Sequence, residues 1–321
     1  MLAPMKDQEN PSLVTIGLLT YNNEDTLVRA LESLVHQDYT AKELVIIDDV
    51  STDRTYDICQ SYAQQYGFIR LFRNEKNVGC FQNLEHLLQK VKGDFFLWAC
   101  PDDAYDLDFL SACVGAMHKD VIMATSAVKV LYDDDRVITC SYHELTKSNS
   151  FWRMAKMIVK TQDSNGERVY YNSILHTLMR TEFLDKIYNV HQLFCCEELW
   201  VINALIWGRV AYVDHVLVKK YESTVSYEIR NPHYHKAVSN PFARLFHATA
   251  YLFVFLWKSM PLQKKWRYVQ AFYLVIAYRL PHLALLAIKG RLLHLDALLF
   301  SSWGHKMYQK MGWSRHAKKN V

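Results

Sequence analysis

Glycine and proline are scarce in this chain, at 10 and 7 of 321 residues, which excludes collagen-like, low-complexity and linker-rich classes. The first ten residues hold no apolar run of the kind a secretory leader needs, so none is expected. No internal repeat is visible. The apolar stretch at 269–288 is broken by Arg279, Pro281 and His282, short of the roughly 20 uninterrupted residues of a bilayer-spanning helix. The seven cysteines (Cys59, Cys80, Cys100, Cys113, Cys140, Cys195, Cys196) are odd in number and fit no zinc-ligand spacing. They read as reduced thiols of a cytosolic protein rather than a disulfide frame. Acidic residues all but vanish towards the end: residues 229–321 carry 15 Lys and Arg against Asp296 alone, a net +14. Residues 1–228 carry 22 Lys and Arg against 32 Asp and Glu, a net −10, so the overall +4 conceals a sharp split. A basic tail behind an acidic body is expected to meet an anionic partner.

What is present is a core-forming half, 50% apolar, long enough for one large domain or two modest ones. Strand and helix patterns alternate up to about residue 123. Strands are expected at 13–19, 44–47, 69–72, 95–99 and 121–125, and helices at 24–36, 52–66, 81–91 and 108–119. The first helix sets Leu27, Ala30, Leu31 and Leu34 on one face. Such alternation predicts an α/β fold with a mostly parallel sheet flanked by helices. Residues 126–228 are more mixed: a strand at 128–132, an acidic turn tip at Asp133-Asp134-Asp135 that reads as a solvated loop, and helical spacing at 193–207.

Two pairs of acids stand out. Asp48 and Asp49 end an apolar run, and Asp102 and Asp103 follow the run 95–99. The carboxyl ends of parallel strands border the crevice where open α/β sheets take ligands. Adjacent like charges there call for a cation, hydrogen-bond donors or a polar ligand. The pattern suggests a nucleotide site with a divalent metal.

Residues 12–120 carry five ordered motifs: Thr20-Tyr-Asn-Asn23, the helix Ala30-Leu-Glu-Ser-Leu-Val-His-Gln37, Asp48-Asp-Val-Ser-Thr-Asp53, Asn77-Val-Gly79, and Gly93-Asp-Phe-Phe-Leu97 leading to Cys100-Pro-Asp-Asp103. In this order they resemble the donor half of inverting family 2 glycosyltransferases with the GT-A fold. Val50 stands where that family has glycine, and Cys100 where its DxD metal motif has the first acid. The resemblance weakens after about residue 125.

The resemblance implies a GT-A (Rossmann-like) domain over 1–228, with a nucleotide-sugar half at about 12–125 and an acceptor half at about 126–228, then a helical extension at 229–321. It implies a nucleotide-sugar site built from Thr20, Tyr21, Asn22, Asp48, Asp49, Asn77, Gly79 and Asp102. Asp49 would accept from a uracil N3–H and Tyr21 would stack on the ring. Mg²⁺ or Mn²⁺ would be held by Asp102 and Asp103. Glu198 aligns with the family's catalytic base and Glu197 is the second candidate; both also suit the first turn of a helix. Ser51, Thr52 and Asp53 read as helix caps. Arg73 or Lys76 would reach the diphosphate or lie on the solvated surface. His176 belongs to the acceptor side or the core, and His233-Tyr-His235 to a lid or the surface.

The expected partners are a nucleotide-sugar donor and a saccharide acceptor, plausibly lipid-linked as in surface polysaccharide or lipopolysaccharide synthesis; no nucleic acid is expected. The tail, with Lys264, Lys265, Arg267, Lys289 and Arg291 beside Trp257, Trp266, Trp303 and Trp313, carries the flanks of an interfacial membrane helix. It would hold a cytoplasmic protein on the inner membrane, or else pack on the body or a second copy as a homo-oligomer. The rival readings are a nucleotidyltransferase, disfavoured by the lack of a Gly-rich phosphate loop, and a non-catalytic GT-A-fold binding protein.

Overall fold

The computed structural model describes residues 11–142, 176–185 and 208–222. The chain divides into two units, Met1–Ala237 and Val238–Val321, and every described residue belongs to the first. The expected boundary at 228 and the basic tail therefore lie outside the described residues. Among the described residues no helix is long and apolar enough to cross a membrane, and no cysteine forms a disulfide.

The alternation in the sequence is realised as β1 (Val14–Thr20), α1 (Leu27–Val35), β2 (Lys42–Asp48), α2 (Thr55–Gln65), β3 (Ile69–Arg73), α3 (Cys80–Leu88), β4 (Phe95–Ala99), β5 (Ala104–Tyr105), α4 (Phe109–Ala116), β6 (Val121–Tyr132), β7 (Val137–Cys140), β8 (Thr177–Arg180) and β9 (Arg209–Glu222). The described strands form one nine-stranded sheet in the order β3-β2-β1-β4-β8-β6-β9-β5, with β7 paired to β6. β1, β2, β3 and β4 are parallel neighbours. β8 runs antiparallel to both β4 and β6, so β6 returns to the direction of β4, and β9 follows β6 in parallel. The carboxyl ends of six strands thus share one edge of the sheet.

The central strands are apolar on both faces because helices cover both. Every residue of β1 is buried, as are Leu44, Val45, Ile46 and Ile47 of β2. Helix α1 buries Leu27, Ala30, Leu31, Leu34 and Val35, the stripe expected from its spacing, and α4 buries Phe109, Leu110 and Cys113 beside β6 and β9. At roughly 1.5–3 kcal/mol per fully buried aliphatic or aromatic side chain, this layer is the main source of stability.

Two expectations change. The strands expected at 121–125 and 128–132 are one continuous strand, because β9 pairs with β6 along its full length. The register shift at Ser126/Ala127 leaves Asp214 and His215 as a bulge in β9 and that at Ala127/Val128 leaves out Leu217, so the strand is interrupted in its pairing without ending. Helix α1 begins at Leu27 rather than residue 24, since the Asn23 carbonyl accepts from both Thr26 and Leu27 N–H and closes a turn first.

The β2–α2 turn demands a left-handed residue, and Val50 supplies it at φ 64°. Reversal is enforced from both sides: Ser51 N–H binds the Asp48 carboxylate at 3.1 Å and the Ser51 carbonyl accepts from Arg73 at 2.9 Å. A β-branched side chain in this region costs about 1–2 kcal/mol, more than the roughly 0.5–1 kcal/mol that glycine loses in chain entropy. Val50→Gly is therefore expected to stabilise the protein by up to about 1 kcal/mol. A higher urea midpoint with an unchanged m-value checks it.

Candidate active site

Asp48, the last residue of β2, has 0% exposure and is neutralised from within the protein. Its carboxylate meets Arg73 Nε at 3.1 Å and accepts from Ser51 Oγ at 2.5 Å and Thr20 Oγ1 at 3.5 Å. Arg73 also stacks over Tyr56, 4.3 Å from the ring centroid. Arg73 is thus committed to β2 and its turn, whereas Lys76 is exposed.

Asp49, 3% exposed, faces the other way and organises the loop after β3. Its Oδ1 accepts from Asn74 Nδ2 at 2.7 Å and Val78 N–H at 3.0 Å, and its Oδ2 from Gly79 N–H at 2.8 Å. Asn77 Nδ2 donates to the Asp49 carbonyl at 3.1 Å. Gly79, at φ 82°, leads into α3 with its N–H aimed at the carboxylate, a conformation only glycine adopts without strain. The expected free acceptor for a uracil N–H is therefore largely taken up by the chain's own donors, because a buried carboxylate must be hydrogen-bonded.

Asn22, at φ 53°, ties the β1–α1 turn to the same region: its N–H meets Ser51 Oγ at 3.0 Å, and its Oδ1 accepts from Thr52 N–H at 2.9 Å. Of the three expected helix caps, Asp53 alone reaches the start of α2, accepting from Thr55 N–H at 2.9 Å, and it also accepts from Glu24 N–H at 3.2 Å. Burial works to raise the Asp53 pKa, but the Thr55 and Glu24 donors outweigh it and hold the carboxyl below its ordinary value. Thr20 is buried, and Tyr21 stands 50% exposed at the end of β1, open to a stacking partner.

Beside this scaffold lies a cleft of about 570 Å³ between the β1–α1 turn, the β4–β5 loop, the β6–β7 turn and the end of β9. Asn22, Asp25, Arg29, Asp102, Tyr221 and Glu222 are among its lining. Asp102 is exposed on its wall, although protein surrounds it on most sides. That enclosure first, and the Asp103 charge second, raise the Asp102 carboxyl above its ordinary value against the pull of Lys220 and His176. Arg29 packs its guanidinium over Tyr221, 3.6 Å from the centroid, and donates to the Asp102 carbonyl at 2.5 Å. Its buried Nε has no partner among the described residues. Asp133 and Asp135 of the acidic turn also line the cleft, so this solvated tip forms one of its walls.

Asp103 turns inward. At 1% exposure its Oδ2 lies 3.0 Å from His176 Nε2, and its Oδ1 accepts from Tyr221 N–H at 3.0 Å. His176, equally buried, holds the Tyr105 hydroxyl at 2.7 Å through Nδ1, so it is a core residue with both nitrogens engaged. Asp102 and Asp103 therefore do not face the cleft together. Asp102 is the acid of this pair exposed on the cleft, and carboxylate oxygen is the donor type that a hard divalent ion takes. Arg29 and Tyr221 escaped the sequence reading because Tyr221 sits on β9, whose pairing with β6 is not visible from local pattern. Glu197, Glu198 and His233-Tyr-His235 lie outside the described residues. Replacing Arg73 with Met, which strips Asp48 of its counter-charge, is expected to cost about 2 kcal/mol of stability. A lowered urea midpoint at an unchanged m-value checks it.

The glycosyl transferase family 2 model matches residues 15–187. The cholesterol galactosyltransferase of Borreliella burgdorferi is 28% identical over 106 residues, covering 33% of this chain and 29% of that protein. The glycosyltransferase GlyG of Streptococcus pneumoniae is 28% identical over 91 residues, 28% of this chain and 30% of that one. The chain thus matches under a third of the length of these two relatives. Among solved structures, S. aureus TarS 1–349 in complex with UDP-GlcNAc superposes with a TM-score of 0.51 at 17% identity, over 83% of this chain and 81% of that one. That likeness concerns the fold, which is GT-A, mixed α/β with a curled central sheet. With a match spanning more than half its length, the chain belongs to glycosyl transferase family 2.

Proposed function

We propose that this protein transfers a sugar from a UDP-linked donor to an acceptor hydroxyl with inversion at the anomeric carbon. The observation that supports this reading best is Asp102, the one acid of the two pairs that stands open in the cleft at the carboxyl edge of the sheet. In this reading Tyr21 stacks on the base, and the Asn22 and Asn77 turns shape the nucleotide pocket. Asp102, as carboxylate, would hold Mg²⁺ or Mn²⁺, which when bound neutralises charge on the departing diphosphate. Arg29 keeps the Asp102 backbone in place and lends its positive charge to the same wall.

Glu198, with Glu197 as the second candidate, takes the proton from the acceptor hydroxyl. The acceptor oxygen forms its bond to the anomeric carbon as the bond to the diphosphate oxygen breaks on the opposite face, and UDP leaves with that electron pair. A lipid-linked saccharide at the inner membrane surface suits a body whose following segment carries 15 Lys and Arg against one acid. Membrane recruitment that vanishes at high salt is the behaviour this predicts, and recovery in the soluble fraction at low ionic strength would remove the acceptor proposal.

UDP release measured across a donor panel, with and without Mn²⁺, tests the transfer. One UDP-sugar is expected to turn over, with the divalent stimulation lost in Asp102→Asn. Glu198→Gln should bind UDP normally and lose about 10²–10⁴-fold in kcat. Normal turnover of that variant would reject the base assignment.

A further inference from the structure

We infer that Cys100, Asp103 and His176 form a binding site for a borderline divalent cation of the zinc class, seated beneath the cleft. Their ligand atoms, Cys100 Sγ, an Asp103 oxygen and a His176 ring nitrogen, all lie within 4.8 Å of one another. The residues come from three places in the fold: just past β4, just before β5 and just before β8. No spacing in the sequence announces the cluster, because 73 positions of chain separate Asp103 from His176 and the sheet alone closes the gap.

The ligand set speaks for the ion. A thiolate, an imidazole and one carboxylate suit zinc or cobalt and disfavour magnesium and manganese, which take oxygen. Zinc bonds of about 2.0–2.3 Å place tetrahedral ligands about 3.3–3.8 Å apart, so closing on an ion needs shifts of about 1 Å or less. Asp103 Oδ2 and His176 Nε2, 3.0 Å apart, need only part slightly. The outer shell is already built. His176 Nδ1 is held by the Tyr105 hydroxyl at 2.7 Å, and Asp103 Oδ1 by Tyr221 N–H at 3.0 Å. Such partners fix the orientation of metal ligands and the tautomer of a liganding imidazole.

Binding balances simply. The Cys100 thiol gives up its proton to solvent, and the neutral imidazole keeps one proton on Nδ1, where the Tyr105 oxygen accepts it. Cys100 is half-buried while Asp103 and His176 are 1% exposed, so the fourth position opens only on the cysteine side. Held by ligands from both segments, the ion ties the β4–β5 loop to the start of β8. The link to the proposed transfer is that this loop also carries Asp102; the site itself stands whether or not sugar is transferred.

The test uses the full chain, stripped with chelator and titrated with Co²⁺. One equivalent is expected to bind, with a thiolate-to-cobalt charge-transfer band in the near ultraviolet that Zn²⁺ abolishes by displacement and Mg²⁺ leaves intact. Cys100→Ser, nearly isosteric, should lose the band. Tyr105→Phe, which frees the imidazole, should keep the band and weaken Zn²⁺ about 10–100-fold. Absence of stoichiometric cobalt, or a band of full intensity in Cys100→Ser, overturns the assignment. A chain that binds cobalt but releases no UDP refutes the transferase reading alone, and the reverse result refutes this site alone.

Discussion

Two adjacent carboxylates at the end of β2 must sit almost without water, and the architecture around the cleft follows from how each is neutralised. An uncompensated buried charge costs several kcal/mol, so neither Asp48 nor Asp49 can be left alone. Asp48 recruits Arg73 from the end of β3 and Ser51 from its own turn. Asp49 recruits Asn74, Val78 and Gly79, which places the start of α3. Three loops are thereby joined to one strand end. Val50, directly after the two acids, takes a positive φ where the chain reverses so that Ser51 can reach back to the Asp48 carboxylate.

The second pair repeats the division with different consequences. Asp103 is drawn inward by His176 and the β9 backbone, while Asp102 is left on the cleft wall under the hold of Arg29. Asp48, Asp49 and Asp103 are all engaged within the frame. Of all four, Asp102 is the one with its carboxylate on the cleft, and the charge of its buried neighbour helps raise its proton affinity. A divalent ion or a cationic group would oppose that rise, so the electrostatics of the wall favour positive charge.

Much of this was legible beforehand. The alternation of apolar strands with an amphipathic helix such as α1 reports burial directly, since periods of 2 and 3.6 are set by backbone geometry. The glycosyl transferase motifs pointed to the edge formed by β1, β2 and β4. Their roles were less legible. Asp49 was expected to meet a uracil N–H, and Arg73 or Lys76 to reach the diphosphate or lie on the surface; the chain's own groups engage Asp49 and Arg73, because a motif records which residue types recur and not which atoms remain open. β9 was hidden for another reason: its bulge at Asp214 and His215 breaks the alternation by which a strand is recognised.

Local chemistry sufficed for the α/β class, the apolar layer and the strand ends at which acids gather, since each depends on neighbours within a few positions along the chain, while the family came from the resemblance of its ordered motifs. Assembly of the sheet chose which carboxylate faces solvent, brought Arg29 onto Tyr221, and set Cys100 and His176 around Asp103. Those outcomes depend on contacts between segments tens of residues apart, where long-range pairing rather than local pattern determines which polar groups are satisfied and which stay available.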